Sequence, residues 1–109
     1  MDNDIQSFKY YVYNDNMEIC GKYYFHIHKE HPFDVHITDI YVFNGYRNCG
    51  CGNSILRHLE NNSRNLKCKK IRTTMPRFSW KRKWFEKNGY QNVGGTIFRV
   101  FLEKNIDKK

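Results

Sequence analysis

The sequence predicts an α/β (α+β) fold with a mixed, mostly antiparallel central sheet and two main helices. Three observations carry this prediction. Aromatic and β-branched residues cluster in short strand-like runs, two later segments carry apolar residues at helical spacing, and a glycine-rich turn precedes the first of these helices. The predicted element order is β-β-β-α-β-α-β, and a chain of 109 residues is expected to form a single domain over residues 1–109.

Three strands are predicted in the first part of the chain. Residues 8–13 form the first strand, residues 14–16 are a turn signal, and residues 17–28 complete an antiparallel hairpin. Gly21 inside the second strand indicates a bulge or a close backbone approach. A loop at 29–34 leads to a third strand at 35–43, whose two faces both carry apolar residues, as in a strand covered on two sides.

The second half alternates helices and strands. Ile55, Leu56 and Leu59 recur at helical spacing and predict a helix over 52–64, which is followed by a short strand over 69–74. A second helix is predicted over 77–87, between Pro76 and a closing Asn-Gly pair. The last strand is predicted over 96–103.

Composition sets the class of protein. With 39% hydrophobic and 28% charged residues the chain is globular, and its net charge of +8 favours anionic partners. No apolar run approaches the roughly 18 residues of a membrane span, and the acidic, polar start does not resemble a targeting segment. The expectation is a cytoplasmic protein without a membrane partner.

The cysteines are expected to be reduced thiols, since Cys49 and Cys51 are too close to pair comfortably and nothing marks secretion. No metal site is expected, because Cys-x-Cys is not the usual zinc spacing and the remaining cysteines and histidines are scattered. His26 and His28 are expected to share one face of their strand.

The strongest local signal lies where the third strand ends. There a glycine-rich turn opens a helix, and backbone N–H groups and the helix dipole converge on a spot that suits a phosphate. The pattern lacks the third glycine of a dinucleotide fingerprint and the Gly-Lys-Ser/Thr of a Walker loop. The plain alternative is a tight turn that caps a helix.

Three segments together resemble the GNAT (N-acetyltransferase) superfamily. Residues 40–52 (IYVFNGYRNCGCG) are similar to its motif A, residues 84–90 (WFEKNGY) to the end of its motif B, and residues 18–21 (EICG) to its hairpin strand. The resemblance covers about residues 8–103 in the right order. It implies a short member of the family that lacks the N-terminal strand and two helices.

The resemblance implies that the chain binds acetyl-coenzyme A. The third strand would hold the pantetheine arm, the loop amides would cradle the pyrophosphate, and a backbone N–H near Val42 would polarise the thioester carbonyl. The implied cofactor-binding residues are Val42, Phe43, Arg47, Asn48, Cys49, Gly50, Cys51 and Gly52.

The resemblance also implies two catalytic candidates. A lysine-like amine has a pKa near 10.4, so a base assists its attack, and His36 stands where many members have a Glu. Asp39 matches a position that is acidic in many members and could bind a cationic amine. For both residues the alternative is an ordinary structural role within the strand.

Two positions depart from the family pattern. Phe85 replaces the Tyr that usually protonates the departing thiolate, and Cys49 replaces a residue that is often basic.

Because the family's N-terminal layers have no counterpart before Phe8, the acceptor side is expected to be open or closed by a second subunit. An open acceptor side favours a protein or peptide acceptor, and closure by a second subunit would make the protein a homodimer.

Three functions remain open from the sequence. The leading hypothesis is an enzyme, an acetyl-CoA-dependent N-acetyltransferase that acts on a primary amine. The second is a coenzyme-A-binding interaction module with little or no activity, which the Phe85 replacement suggests. The third is a basic nucleic-acid-binding domain, because lysines and arginines interleave with Trp80 and Trp84, although nucleic acid is the less expected partner.

Overall fold

A computed structural model describes residues 4–46 and 50–107 of the chain. The elements are β1 Ile5–Tyr13, β2 Ile19–His28, β3 His31–Val42, α1 Cys51–Asn65, β4 Lys70–Pro76, α2 Trp80–Lys87, β5 Gln91–Gly95 and β6 Arg99–Asn105. The strands form one six-stranded sheet in the order β1-β2-β3-β4-β6-β5. Only the β3–β4 pair of this described sheet is parallel. The predicted fold class is therefore confirmed.

Several elements differ from the prediction, among them β1, which begins at Ile5, and β6, which spans Arg99–Asn105; three differences have a local cause. Strand β5 was not predicted, because Gln91–Gly95 is polar, glycine-rich and exposed throughout, and it becomes a strand only by pairing with β6 at the edge of the sheet. Strand β3 begins at His31 rather than at residue 35, since a proline is tolerated near the first residue of a strand. Helix α2 begins at Trp80 rather than at residue 77, because Ser79 caps it.

Both helices lie on one face of the sheet. Helix α1 packs Ile55 and Leu59 into a core that also contains Tyr23 and Phe25 of β2, and all four side chains are buried. Helix α2 lies beside α1, because the Trp84 indole N–H donates to the Asn53 side chain at 3.1 Å. No helix in the described part of the chain is long and apolar enough to cross a membrane.

A buried polar link also joins the two halves of the core. The hydroxyl of Tyr90, which follows α2, donates to Glu60 of α1 at 3.0 Å, and Lys104 of β6 lies 3.2 Å from the same carboxylate. Burial and the Glu60 carboxylate both raise the pKa of Tyr90, so its hydroxyl stays protonated and donates. With both partners, the buried Glu60 carboxylate avoids the free-energy cost of an unpaired buried charge.

At Gly21 the backbone of β2 lies close to the side chain of Ile55 in α1. A Cβ atom there would collide with the side chain of Ile55 and would lie 2.5 Å from the carbonyl oxygen of Tyr41. A bulge adjoins it, since the β1–β2 register skips Cys20 between Gly21 and Ile19. The predicted bulge or close approach at Gly21 is confirmed in both respects.

The expectation of four reduced thiols is wrong for one pair. Cys20, in the bulge of β2, and Cys51, the first residue of α1, are joined in a disulfide with a Cα–Cα distance of 6.7 Å. The two cysteines are 31 residues apart in sequence, and only the packing of α1 on β2 brings them together. Cys68 is a buried free thiol, and Cys49 lies outside the described residues.

The other face of the sheet is called the open face here. Side chains alternate between faces along a strand, so His26, His36 and Arg72 point away from the face on which Tyr23, Val35 and Ile71 pack into the core. Within the described residues both helices lie on the opposite side. The open face therefore presents polar and aromatic side chains of β2, β3, β4 and β6.

Candidate functional site

The site is built where the two parallel strands separate. β3 and β4 pair at only three positions, the last of which is His36 opposite Arg72, and beyond this point they diverge. The gap is a cleft of about 200 Å³, called the interstrand slot. Its lining residues are Ile37, Thr38, Asp39 and Ile40 from β3, Thr73, Thr74, Met75 and Pro76 from β4, and Ser79, Lys81 and Phe85 near α2.

Beyond the slot, the backbone of β3 offers a hydrogen-bond donor on the same side. The amide of Phe43 donates to the carbonyl of Cys20 on β2 at 2.9 Å, so Val42 and Gly21 face each other as a non-hydrogen-bonded pair. The N–H of Val42 consequently points away from β2, toward the side on which the strands diverge. The corresponding N–H of Ile40 is occupied, because it donates to the Asp39 carboxylate at 2.9 Å.

Helix α1 begins at the end of the turn that follows β3. Gly50 caps it in the left-handed region (φ 76°), where a glycine is favoured, and no side chain caps it. The first three N–H groups of a helix have no partner within the helix, and the described first turn of α1 contains no acidic residue. The start of α1 therefore carries uncompensated positive potential that suits an anion.

The predicted cofactor-binding residues are only partly described. Arg47, Asn48 and Cys49 lie outside the described residues. Gly50, Cys51 and Gly52 form the beginning of α1; Gly52 lies against the indole of Trp84, and Cys51 is buried in its disulfide. Val42 and Phe43 are half-buried and follow the slot at the end of β3.

Asp39 lies in the slot next to a cation. Its carboxylate is about one-third exposed, and Lys81 Nζ lies 4.0 Å from Asp39 Oδ1. Ser79 also lines the slot, where its hydroxyl accepts from the Lys81 amide at 3.2 Å as the cap of α2. The Asp39 carboxylate, the Lys81 ammonium group and the Ser79 hydroxyl thus line one small cleft.

Phe85 forms the apolar wall of the slot. Its ring is 2% exposed and makes edge contacts with the rings of Trp84, at 4.8 Å, and Tyr90, at 5.0 Å. A phenyl ring has no proton to donate. Ser79 and Lys81 are therefore the side-chain O–H and N–H donors on the α2 side of the slot.

His36 lies on the open face rather than in the slot itself. It lines a second cleft of about 420 Å³ together with His26, Arg72 and Glu103, and this cleft shares Ile37, Thr73 and Thr74 with the slot. Burial lowers the pKa of His36 to about 4, with further lowering by His26, His28 and Arg72 against an opposing effect of Asp34. His36 is therefore neutral at pH 7, but it is a weak proton acceptor.

The structure brings together histidines that were expected to be scattered. His26 lies opposite His36 in the β2–β3 register, and His28 projects from the same face of β2, as predicted for it and His26. One potential ligand atom from each of the three side chains lies within 4.8 Å of the others. The alternation along β2 predicts the pair His26 and His28, but the addition of His36 depends on the β2–β3 register and had no signal in the sequence.

The basic residues of the second half are mostly engaged locally. Arg72 pairs with Asp34 at 3.3 Å and with Glu103 at 3.0 Å, and Arg77 donates to the backbone of the turn before β6. Trp84 is bound to α1, as described above. These contacts give Arg72, Arg77 and Trp84 structural roles, whereas Trp80, the other tryptophan among the basic residues, is exposed.

Ser79 and Lys81 are the slot residues that sequence reasoning missed. A signal for Ser79 was present, since serine just before a helical run is a common N-cap. Lys81 carried no such signal, because it stands among other basic residues and only the packing of α2 turns it toward Asp39.

Comparison with known proteins assigns the family. The family model described as "Acetyltransferase (GNAT) domain" matches residues 6–92, which is most of the chain. A search of curated proteins found no significant match.

Solved structures show the same fold. An acetyltransferase from Bacillus cereus has 20% sequence identity and a TM-score of 0.74, with 93% of this chain and 74% of that one covered. The IAA acetyltransferase from Bacillus cereus has 15% identity, a TM-score of 0.74 and coverages of 91% and 77%. A GNAT acetyltransferase from Staphylococcus aureus has 14% identity, a TM-score of 0.70 and coverages of 93% and 68%. The chain belongs to the GNAT acetyltransferase family.

Proposed function

We propose that this protein transfers the acetyl group of acetyl-coenzyme A to a primary amine. The observation that carries the proposal is the order of three features from β3 to the start of α1. The interstrand slot, the Val42 N–H at its end and the start of α1 follow one another along the chain. Within the family, this order matches an acyl thioester in the slot and a pyrophosphate at the helix.

The described residues fit the coenzyme. Among the described residues, its chain neighbours aside, none lies within 4 Å of where a Cβ of Gly50 would be, which leaves room for a bulky anion near the backbone. The N–H groups of Cys51, Gly52 and Asn53 would bind the pyrophosphate, and the diverging backbones of β3 and β4 would flank the pantetheine arm. The predicted contacts of Arg47, Asn48 and Cys49 stay predictions.

Val42 and Asp39 take the central roles in the proposed mechanism. When bound, acetyl-coenzyme A supplies a thioester carbon that a neutral amine can attack. The Val42 N–H would donate to the oxygen that gains negative charge, which is the geometry of an oxyanion hole. The Asp39 carboxylate, with one oxygen already held by the Ile40 amide, would attract and orient the acceptor ammonium.

Different groups would accept the proton of the acceptor amine and stabilise the departing thiolate. His36 as the base stays a prediction, and its low pKa makes it a weak proton acceptor, so water in the open cleft would accept the amine proton. On the leaving-group side, Ser79 and Lys81 would replace the family Tyr. The Lys81 ammonium would stabilise a thiolate by charge, and the Ser79 hydroxyl would donate to it.

The second candidate is a coenzyme-A-binding module without appreciable turnover. The specific observation that favours it is Phe85, whose buried ring leaves the usual proton donor of the family absent. A protein or peptide acceptor and a homodimer stay predictions.

The coenzyme site is tested by calorimetry with coenzyme A and with acetyl-coenzyme A. We expect saturable one-to-one binding that weakens about tenfold or more in Gly50→Val, because a β-branched residue at positive φ distorts the start of α1. The control is Gly45→Val, which also alters a glycine at positive φ, but in the turn before the helix. Equal weakening by both variants, or no binding by the wild type, would contradict the assignment.

A further inference from the structure

Three imidazoles are gathered on the open face at one point of the β2–β3 pair. The rings of His26 and His36 stack with centroids 5.2 Å apart and an interplanar angle of 8°. The ring of His28 stands edge-on to both, at 5.0 Å from His26 and 4.9 Å from His36. All three side chains are half-buried.

The nitrogens are close enough to share one ion. One candidate ligand atom from each of these residues lies within 4.8 Å of the other two. Zinc binds imidazole nitrogen at roughly 2.0–2.1 Å, which places two nitrogens of a tetrahedral site about 3.4 Å apart. To share an ion, the stacked rings of His26 and His36 would have to tilt toward one another by side-chain rotation, while the paired strands hold the three Cα atoms in place.

One ligand already has an outer partner. Nδ1 of His26 lies 3.0 Å from the hydroxyl of Thr38, which sits at the register shift of β3. When Nδ1 carries the proton and donates to this hydroxyl, the lone pair of Nε2 is left for a metal. Such hydrogen bonds to the second ring nitrogen fix the tautomer and orientation of metal-binding histidines.

The charges around the cluster permit a cation. Arg72 is the cation facing His36, and its charge is compensated by Asp34 and Glu103 at 3.3 and 3.0 Å. Glu103 also lines the cleft that His26 and His36 border. The local field is therefore less positive than the net charge of the chain suggests.

We propose that His26, His28 and His36 form a binding site for a divalent first-row transition metal, with Zn²⁺ as its best match. Three neutral imidazoles suit zinc, copper, nickel and cobalt, and they suit magnesium and calcium poorly. Three protein ligands would leave a fourth coordination position for water or an exchangeable ligand. The proposal does not rest on acetyl transfer, and a metal bound there would occupy the imidazole of His36, the predicted base.

The test is a titration of the intact chain with Zn²⁺, followed by calorimetry, and with Co²⁺, followed by its visible absorption. We expect one equivalent bound with micromolar affinity, and at least about tenfold weaker binding in His28→Gln, which removes one of three ligands. The matched control is His58→Gln, since His58 lies on α1 and bonds to Tyr23 on the other face. Cys68→Ser and Cys49→Ser exclude capture of the metal by a thiol outside the disulfide.

A measurement on the wild type keeps the proposal testable if a variant folds poorly. Zn²⁺ should raise the melting temperature reversibly with a chelator, and it should shift the side-chain nitrogen resonances of His26, His28 and His36 but not of His58. Absence of binding at 100-fold excess of metal over protein, or equal binding by His28→Gln and His58→Gln, would overturn the proposal.

Discussion

The amide of Phe43 donates to the carbonyl of Cys20, and this one hydrogen bond determines which way the backbone of β3 faces at its end. Because the pairing alternates along antiparallel strands, it turns the N–H of Val42 away from β2. Cys20 is in turn joined to Cys51 at the start of α1. The proposed oxyanion donor and the proposed pyrophosphate site are thus tied to the same residue of β2.

Gly21 should tolerate no side chain. We expect Gly21→Ala to reduce the free energy of unfolding by about 2 kcal/mol, because its Cβ would collide with Ile55 and approach the Tyr41 carbonyl. Urea denaturation measures the change. Gly52→Ala is the matched control, since a Cβ there meets only an ordinary contact with Trp84 at 3.5 Å. A loss in the control as large as in Gly21→Ala would show that the close approach is not the cause.

The disulfide should contribute to stability. Its 31-residue separation closes a loop whose cross-linking is worth about 4 kcal/mol of unfolding free energy in the chain-entropy account. A reductant should therefore lower the melting temperature of the wild type and leave Cys20→Ser unchanged. If the reductant lowers both melting temperatures equally, or lowers neither, the disulfide makes no contribution to stability.

Phe85→Tyr should raise turnover. The ring borders the slot, and a phenol there would restore the proton donor that other members use, giving an increase of about threefold or more. Steady-state release of free thiol is the measurement, and Phe85→Leu, which adds no donor, is the control. A decrease in turnover in a Phe85→Tyr variant that keeps its fold and its coenzyme affinity would contradict the idea that the missing phenol limits turnover.

Asp39 and Lys81 should affect turnover rather than coenzyme affinity. We expect Asp39→Asn to lower kcat/KM for a cationic amine about tenfold, because a charged hydrogen-bond acceptor for the ammonium is lost. Lys81→Met should lower kcat, whereas Lys83→Met, which alters an exposed lysine on the same helix, should not. Unchanged kinetics in both Asp39→Asn and Lys81→Met would exclude the proposed roles.

The sequence predicted what depends on local pattern. The third strand, the Gly50 cap and α1 were predictable because apolar alternation, glycine and helical spacing lie within one segment. Strand β5 was not, since Gln91–Gly95 has no strand pattern of its own and pairs only because β6 returns beside it. The Cys20–Cys51 link, the histidine cluster and the approach of Lys81 to Asp39 depend on tertiary contacts between distant segments. Spacing within one segment cannot reveal them.

The most direct test is acetyl transfer itself, measured by mass spectrometry and by free-thiol release. Purified protein is incubated with acetyl-coenzyme A and a panel of primary amines and lysine-containing peptides. We predict an increase of 42 Da in at least one acceptor, with stoichiometric thiol release that falls in Asp39→Asn. Tight binding of acetyl-coenzyme A without transfer to any acceptor would contradict the enzymatic proposal and favour the binding module.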